Sequence, residues 1–223
     1  MSSELQPSKL GTKEYWDNVY EEELVNFEEL GDEGEIWFGI ETVEKMVDWT
    51  RTSAPHSCRP SIIEIGSGNG TLLFALAEAG YPPSTLTGID YSADAVNLAK
   101  AISKERDIKG ITFMENDFLK DDLHLHNTWD IVLDKGTYDA IALGPKDEHG
   151  HSPAAFYPTR LVKLLKPGSY FLITSCNFTE NELKSTFVTA ETGLEYHSRI
   201  QHAAYTFGGR SGSICASVAF RKA

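Results

Sequence analysis

The sequence predicts a doubly wound α/β fold, with a mostly parallel seven-stranded sheet, helices on both faces and a C-terminal antiparallel hairpin. Short apolar runs alternate with helix-length patterns, which is typical of right-handed βαβ units. The first run leads into a loop with glycine at positions 66, 68 and 70. Successive runs carry acids at or near their ends, namely Glu64, Asp90, Asp117 and Asp134. Since parallel sheets bind ligands outside the carboxyl ends of their strands, these acids predict a site at one edge.

Residues 1–57 are predicted to form a helical lead-in that packs on the main domain, residues 58–223. The segment 13–39 is very acidic, yet it is also rich in aromatic residues, and purely solvated acidic segments rarely are. Val43, Met46 and Val47 lie at helical spacing and predict a second helix in the lead-in.

Seven strands and at least three helices are predicted in the main domain. The strands are 62–65, 86–89, 111–114, 131–133, 170–174, 194–197 and 214–220. The helices are 71–79, 93–105 and 154–165, with Ser92 as a cap for the second and "KPG" at 166–168 as a stop for the third. The segment 134–152 is long for a connection, so it predicts a lid or binding loop, and "TYDAIAL" within it could form a short helix.

Composition limits the classes of function. The formal net charge of −13 argues against direct nucleic-acid binding, which requires a basic face, and it is compatible with a lysine-rich protein partner. The three cysteines contain no Cys-x-x-Cys pair and indicate a reduced, intracellular protein. The polar start "MSSELQPSKL" resembles no signal peptide, and no apolar run has the length of a membrane span. We therefore expect a cytoplasmic location, with the nucleus also compatible, and no membrane association.

Two phosphate-bearing ligands fit the glycine loop poorly. A nicotinamide dinucleotide requires Gly-x-Gly-x-x-Gly, but here the last glycine comes one residue early and Thr71 takes its place. A nucleoside triphosphate requires Gly-Lys-Ser/Thr, and no lysine follows Gly70. Glu64 would also repel phosphate. Asp90, about 20 residues beyond the loop, still fits a carboxylate that binds the hydroxyls of a ribose.

A nucleoside without phosphate, S-adenosylmethionine, accounts for three strand ends at once. Glu64 suits the ammonium group of its amino-acid end, and glycines 66 and 68 allow close approach of the backbone. Asp90 would accept from the ribose. Asp117 would accept from the adenine amino group, and Phe118 would pack on its ring.

The ordered motifs "EIGSGNG", "GIDYS", "ENDF" and "LKPG" resemble those of class I, seven-stranded methyltransferases, which have a Rossmann-like fold. Three further segments are similar to the eukaryotic lysine methyltransferases that act on translation elongation factor 1-alpha. These are "YWDNVYEEELVNFEELGDEGEIWFG", "LDKGTYDAI" and "YTFGGRSGS". The resemblance implies that "EIWFG" folds over the cofactor. The predicted cofactor-binding residues are Trp37, Phe38, Gly39, Glu64, Gly66, Ser67, Gly68, Asn69, Gly70, Asp90, Tyr91, Asn116, Asp117, Phe118 and Asp134.

Asp134 is also the first choice for a catalytic residue, because it ends the fourth strand, where this fold places its chemistry. Tyr138 and Asn177 are the second choices. Nucleic-acid amino methyltransferases of this fold carry Asp/Asn-Pro-Pro-Tyr/Phe at this position, whereas this chain has "DKGT". The resemblance therefore implies a protein substrate, a lysine of elongation factor 1-alpha. A small-molecule methyltransferase, a non-catalytic cofactor-binding scaffold and a nicotinamide oxidoreductase are the alternatives.

Several of the predicted site residues also have a purely structural interpretation. The glycines could form only a tight turn, Asp90 could cap a helix, and Trp37 could only pack the lead-in. Asp117 could be a loop acid and Phe118 a core residue. The pairs His124 and His126, and His149 and His151, have no cysteine or carboxylate at a recognised zinc spacing, so no metal is expected. We expect a monomer.

Overall fold

The computed structural model describes residues 5–121, 128–207 and 210–223, and for 204–207 and 210–213 it describes the backbone alone. The main sheet has seven strands in the order β3-β2-β1-β4-β5-β9-β6, and β7 and β8 form a separate two-stranded ribbon. The strands are β1 (Ile62–Ile65), β2 (Leu86–Asp90), β3 (Thr112–Glu115), β4 (Trp129–Lys135), β5 (Leu165–Ser175), β6 (Leu194–Ile200), β7 (Ala204–Phe207), β8 (Arg210–Ser213) and β9 (Ala216–Lys222).

Seven α-helices surround the sheet in the described part of the chain. They are α1 (Lys13–Leu30), α2 (Ile40–Ser53), α3 (Thr71–Glu78), α4 (Ala93–Glu105), α5 (Thr137–Ala142), α6 (Tyr157–Leu161) and α7 (Glu180–Phe187). Buried residues of α1 to α4 pack on one face of the sheet, and those of α5 to α7 pack on the other. No helix in the described ranges is both long enough and apolar enough to cross a membrane.

The fold class is confirmed. Strands β1 to β5 are parallel, and the strand order reverses between β1 and β4, which is where doubly wound sheets bind ligands. The predicted antiparallel pairing of the last two strands is also confirmed, since β9 pairs antiparallel with β6. The two strands do not form a simple hairpin, however. The ribbon of β7 and β8 lies between them in the chain, and β9 is inserted between β5 and β6.

The predicted helix at 154–165 is interrupted. Residues Pro153–Phe156 and Val162–Leu164 form 3-10 turns on either side of α6. Pro158 lacks an amide hydrogen and is tolerated only in the first turn of an α-helix, so α6 begins at Tyr157. The "KPG" tripeptide lies within β5, where the partner of Trp129 is Leu165 and the partner of Ile131 is Tyr170. Gly168, with φ of +82°, therefore occupies a bulge at the start of that strand.

The helices of the lead-in pack on the main domain, as the aromatic content of the lead-in predicts. Thr12 caps α1, which ends at Gly31 in the left-handed conformation, and α1 packs against α4. In α2 the residues Val43, Met46 and Val47 are buried in the core. The division of the chain at residue 57 stays a prediction. Of the "YTFGGRSGS" segment, residues 208 and 209 lie outside the described residues.

Candidate active site

A cavity of about 560 Å³ lies at the carboxyl edge of the parallel strands. Its wall includes the loop after β1, the ends of β2 and β3, the start of α5 and the loop after β5. The lead-in covers it, since residues 10–13, Trp16, Tyr20 and the turn at Trp37 and Phe38 also line it. The volume is typical of a site for a small molecule or cofactor.

The glycine loop passes too close to its neighbours for larger residues. Gly66 and Gly68 have φ of +67° and +52°, a region that side chains disfavour. A Cβ atom at Gly66 would collide with Thr137, and one at Gly68 would collide with the hydroxyl of Tyr20. The loop is therefore more than a tight turn, because it holds α5 and the lead-in at the cavity wall.

Asp90 stabilises this loop from the next strand. One carboxylate oxygen accepts from the amide of Gly68 at 3.0 Å, and the other accepts from the amide of Ser92 at 3.0 Å. Ser92, not Asp90, caps α4. Burial raises the pKa of Asp90 to about 6, although these hydrogen bonds and the charge of Lys13 act to lower it. Asp90 lines the cavity, so its remaining lone pairs are placed to accept from a ligand hydroxyl.

Glu64 is buried at the first strand end and does not line the cavity. Burial raises its pKa to about 8, although the nearby Lys135 ammonium opposes the shift. Lys135 does line the cavity, and its Nζ donates to the carbonyl of Trp37 at 3.1 Å. Burial lowers the pKa of Lys135. The lysine thus joins the sheet edge to the lead-in, and Glu64 is its buried counter-charge.

At the third strand end, Asn116, Asp117 and Phe118 all line the cavity. Asp117 accepts from the amide of Leu119 at 3.1 Å and forms an ion pair with Lys120 at 2.8 Å. Phe118 is buried against the ring of Tyr157, with centroids 4.8 Å apart. These contacts agree with the structural interpretation of both residues, while their position at the cavity leaves the predicted contact with an adenine open.

The "EIWFG" turn lies over the cavity as the resemblance implies. Trp37 packs edge-on against Trp16 with centroids 4.9 Å apart, and both rings line the cavity. Phe38 lines it as well and has φ of +67°, a strained conformation for a residue with a side chain. Gly39, with φ of +74°, precedes α2 and does not line the cavity.

Three other predicted residues have mainly structural contacts. The Asn69 amide donates to the carbonyl of Glu33 at 2.9 Å, and its oxygen accepts from the hydroxyl of Thr71 at 2.8 Å. Gly70 precedes α3 and lies outside the cavity wall. Tyr91 lines the cavity, with the Lys13 ammonium 5.4 Å from its ring centroid.

The predicted catalytic residues differ in position, since Asp134 and Tyr138 are buried whereas Asn177 lines the cavity. Side chains alternate along a strand, and Asp134 is on the face opposite Glu64 and Lys135. There it accepts from the amides of Thr137 and Tyr138 and from the hydroxyl of Tyr157 at 2.5 Å. Burial raises its pKa to about 7.

Neither Asp134 nor Tyr138 lines the cavity, and Tyr138 is buried among aromatic rings that include Phe178 and Phe187. Their contacts indicate that they position the start of α5. Their assignment to the reacting centre stays a prediction, and so does the contact of Asp134 with a cofactor. Asn177 does line the cavity.

Tyr20, Lys135 and Asp139 are among the cavity-lining residues that sequence reasoning missed. Tyr20 lies four residues after Trp16 in α1, so helical spacing of aromatics in an acidic segment is a signal for it. Lys135 and Asp139 carry no such signal. A strand buried on both faces does not indicate in the sequence which side chains face the ligand.

Five buried side-chain atoms have no hydrogen-bond partner among the described residues. They are Glu23 Oε2, Trp37 Nε1, Glu64 Oε2, Ser67 Oγ and Asn116 Oδ1. All but the Glu23 atom belong to predicted cofactor-binding residues, and Trp37, Ser67 and Asn116 line the cavity. Because an unpaired buried polar atom costs about 1–3 kcal/mol, the set fits a polar ligand with both donors and acceptors.

The described residues contain no group of three or more His, Cys, Asp or Glu side chains that could hold a metal ion. His151 is exposed and lies beside His149, and its Nδ1 donates a hydrogen bond to the Asp147 carboxylate at 3.1 Å. His124 and His126 lie outside the described residues.

Comparisons with known proteins give consistent similarities. A family model described as "Methyltransferase domain" matches residues 59–209. The chain is 40% identical to "Protein-lysine N-methyltransferase efm4" of Schizosaccharomyces pombe, over 98% of this chain and 96% of the relative. It is 40% identical to "EEF1A lysine methyltransferase 2" of Homo sapiens, over 97% and 88% of the two chains. A solved structure of the N-methyltransferase NodS from Bradyrhizobium japonicum, in complex with S-adenosyl-L-homocysteine, superposes with a TM-score of 0.63 at 19% identity, covering 93% of this chain and 98% of that one.

Proposed function

Because the chain belongs to the methyltransferase-domain family, and within it to the protein-lysine N-methyltransferases, we propose that it methylates a lysine of translation elongation factor 1-alpha. The methyl donor is S-adenosylmethionine. The observation that carries the proposal is the match to lysine methyltransferases along nearly the whole chain, lead-in included. The lead-in covers the cavity, so the similarity extends to the wall of the site itself.

The residues around the cavity fit this cofactor. Asp90 and Asn116 present acceptors at the ends of β2 and β3, suited to a ribose and an adenine. The glycine loop lets backbone amides approach the ligand closely. Glu64 lies behind the cavity wall, so its unpaired oxygen would favour a cationic amino group through a water. Trp37 and Phe38 from the lead-in would cover the ligand on its outer side.

When bound, the cofactor supplies a methyl group on a cationic sulfur that is ready to leave as a neutral thioether. The chain's own residues hold the acceptor in line and exclude water, so most of the catalysis is proximity and alignment. A lysine amine must lose its proton before it can react, and its ordinary pKa is about 10.4. A carboxylate in the cavity wall would bind the ammonium and receive its proton, and the aromatic rings that line the cavity would favour a cation by contact with their faces.

The test is methyl transfer with purified protein, S-adenosylmethionine labelled in the methyl group and recombinant elongation factor 1-alpha. A parallel reaction contains a cytosolic extract, and both are repeated with Asp90→Ala. We expect one labelled protein band of the mass of the elongation factor, absent with the variant, and a modified lysine identified by mass spectrometry.

The other outcomes distinguish the alternatives. Label confined to small molecules of the extract would indicate a small-molecule methyltransferase. Cofactor binding without transfer to any acceptor would indicate a scaffold. We further propose that the protein acts in the cytoplasm as a monomer; fractionation of cells and the elution volume of the pure protein test these two points.

A further inference from the structure

The cavity has two ends that differ in chemistry. The strand order places the ends of β2 and β3 on one side of β1 and the ends of β4 and β5 on the other. Asp90 and Asn116 follow the first pair, whereas Asp139, Cys176 and Asn177 follow the second pair, and all five line the cavity. If the nucleoside occupies the first end, the group that is transferred faces the second, which we call the acceptor end.

Asp139 is the carboxylate of the acceptor end, and its orientation is fixed. It is the third residue of α5 and only 5% exposed. Its Oδ1 accepts from the Ser175 hydroxyl, and its Oδ2 accepts from the Cys176 amide at 2.7 Å. The Ser175 oxygen itself accepts from the amides of Asn177 at 3.2 Å and Phe178 at 2.9 Å. Its hydroxyl hydrogen is therefore left for Asp139, so both carboxylate oxygens act as acceptors.

This carboxylate has neutral partners only. Its described hydrogen bonds come from a hydroxyl and an amide, and within the described ranges no lysine, arginine or histidine forms an ion pair with it. Burial is the main cause that raises the pKa of Asp139, and hydrogen bonds from Ser175 and Cys176 oppose it. A buried carboxylate without a cation is costly, and a cationic ligand would remove that cost.

The acceptor end also borders a second opening. A hollow of about 280 Å³ lies between the ends of β5 and β6 and the start of β9, and Cys176 belongs to its wall and to the wall of the cavity. Asp139 itself lines the cavity, so a long, flexible side chain that carries a cation at its tip could reach it there while its own backbone stays outside. Lysine has this shape and charge.

From this geometry we infer that Asp139 is the catalytic residue that binds the ε-ammonium of the substrate lysine at the acceptor end and takes its proton. The inference rests on the proposed function. One N–H bond of the ammonium breaks and its proton goes to the Asp139 carboxylate, leaving the lone pair on Nζ. The Nζ–CH₃ bond then forms as the bond from that carbon to sulfur breaks, and the bonding pair stays on sulfur. The proton on Asp139 leaves to water, and the lysine ends as a methylammonium.

The experiment compares the wild type, Asp139→Asn, Asp139→Glu and the control Glu148→Gln, an exposed carboxylate outside both hollows. The substrate is recombinant elongation factor 1-alpha. Calorimetry gives the affinity for S-adenosylmethionine, and initial rates give kcat/KM from pH 6.5 to 9.5. For Asp139→Asn we expect cofactor affinity within twofold of the wild type and kcat/KM about 10²-fold lower at pH 7.5. Glu148→Gln should equal the wild type in both.

The pH profile separates a catalytic role from a structural one. Without the Asp139 carboxylate the substrate lysine must lose its proton to solvent. The difference in kcat/KM between Asp139→Asn and the wild type should therefore become smaller as the pH rises toward the ordinary lysine pKa of about 10.4. The groups that titrate around Asp139 are Asp134, Tyr138, Cys176 and Cys215. The Asp139 charge raises the pKa of each of these groups, so Asp139→Glu, which keeps that charge, is the control for their contribution to the profile.

The outcomes distinguish failure of the proposed function from failure of the role assigned to Asp139. If the wild type methylates no lysine, the proposed function fails. If the wild type is active, a kcat/KM of Asp139→Asn within threefold of it, or a deficit that is constant with pH, overturns the role of Asp139. If neither Asp139→Asn nor Asp139→Glu binds the cofactor with wild-type affinity, the carboxylate is structural and the inference is equally overturned.

Discussion

Asp90 ends β2 and Asp134 lies near the end of β4, on either side of β1, and both are buried, yet their surroundings differ. Asp90 accepts hydrogen bonds from two backbone amides and lines the cavity. Asp134 accepts hydrogen bonds from two backbone amides and a tyrosine hydroxyl on the opposite face of the sheet. One residue is therefore accessible to a ligand and the other is enclosed in aromatic packing. The difference arises from the alternation of side chains along a strand.

Replacing Asp90 should abolish tight binding of the cofactor. Asp90→Ala removes an acceptor for the ligand and also the bonds that hold the glycine loop, and hydrogen bonds to a charged group contribute about 1.5–3 kcal/mol each. We expect the dissociation constant for S-adenosylmethionine to rise about 100-fold or more, measured by calorimetry. Asp94→Ala, at the start of α4, is the control. An affinity within threefold of the wild type in Asp90→Ala would contradict this role.

Replacing Asp134 should chiefly lower stability. Asp134→Asn leaves one buried donor without an acceptor, which costs about 1–3 kcal/mol. Tyr157→Phe removes the donor instead and should cost less, because the two backbone bonds remain. Urea unfolding at pH 8 measures the free energy of unfolding, and calorimetry should show cofactor affinity unchanged in both variants. An unchanged stability with a lost affinity in Asp134→Asn would favour direct contact with the cofactor.

At the scale of elements, the lead-in is held to the sheet edge by a small number of contacts. Lys135 at the end of β4 binds the Trp37 carbonyl, and Asn69 after β1 binds the Glu33 carbonyl. Trp16 in α1 packs on Trp37, and its indole donates to the Leu10 carbonyl at 2.7 Å. The strand ends and α1 together thus hold the turn at Trp37 and Phe38 over the cavity.

Lys135 and Glu64 should be energetically coupled. The Cα partner of Glu64 is Leu133, so Lys135 is two residues along on the same face. At pH 9, where Glu64 is ionised in the wild type, Lys135→Met leaves this carboxylate buried without its counter-charge and should cost about 3–5 kcal/mol. The double variant with Glu64→Gln should recover much of that loss. A double-mutant cycle by urea unfolding measures the coupling, and strictly additive effects would refute it.

The lead-in should also loosen in Lys135→Met. Because the Trp37 carbonyl loses its donor, hydrogen exchange at residues 35–39 should become faster, while exchange in α7 on the other face stays unchanged. Equal exchange at residues 35–39 in the variant and the wild type would show that the aromatic contacts hold the cover alone.

At the scale of the whole molecule, several buried acids make stability depend on pH. Folded Glu64 has its pKa raised from 4.5 to about 8, Asp134 from 3.8 to about 7 and Asp90 from 3.8 to about 6. Between each pair of values the folded protein holds a proton that the unfolded chain has released. The free energy of unfolding must therefore fall as the pH rises from about 4 to 8.

Melting temperatures of the cofactor-free protein should accordingly decrease between pH 5.5 and pH 8.5. Glu64→Gln cannot ionise, so it should flatten the upper part of that slope. A cationic ligand favours the ionised acids, so saturating S-adenosylmethionine should stabilise the protein more at pH 8 than at pH 6. A slope of the opposite sign would show that the carboxylates stay ionised when buried.

Much of this arrangement follows from the sequence, for identifiable reasons. The start of β1, the cap at Ser92 and the cluster of acids at one edge result from local patterns, and local patterns are visible in the chain. The face on which Asp134 lies was not predictable, because β4 is buried on both sides and its sequence does not alternate. The insertion of β9 and the cover formed by residues 10–13 depend on contacts between distant segments, which leave no periodic signal.

The position of β9 has a consequence for biosynthesis. The strand of this sheet that is synthesised last, Ala216–Lys222, is an interior strand flanked by β5 and β6. Until it arrives, β5 exposes an unpaired edge and β6 has no partner, and such edges favour aggregation. The sheet can be completed only after all of its other strands have been synthesised. Nascent chains halted at residue 215 should therefore be cleaved by protease across β5 and β6, whereas full-length chains on an added C-terminal linker should resist.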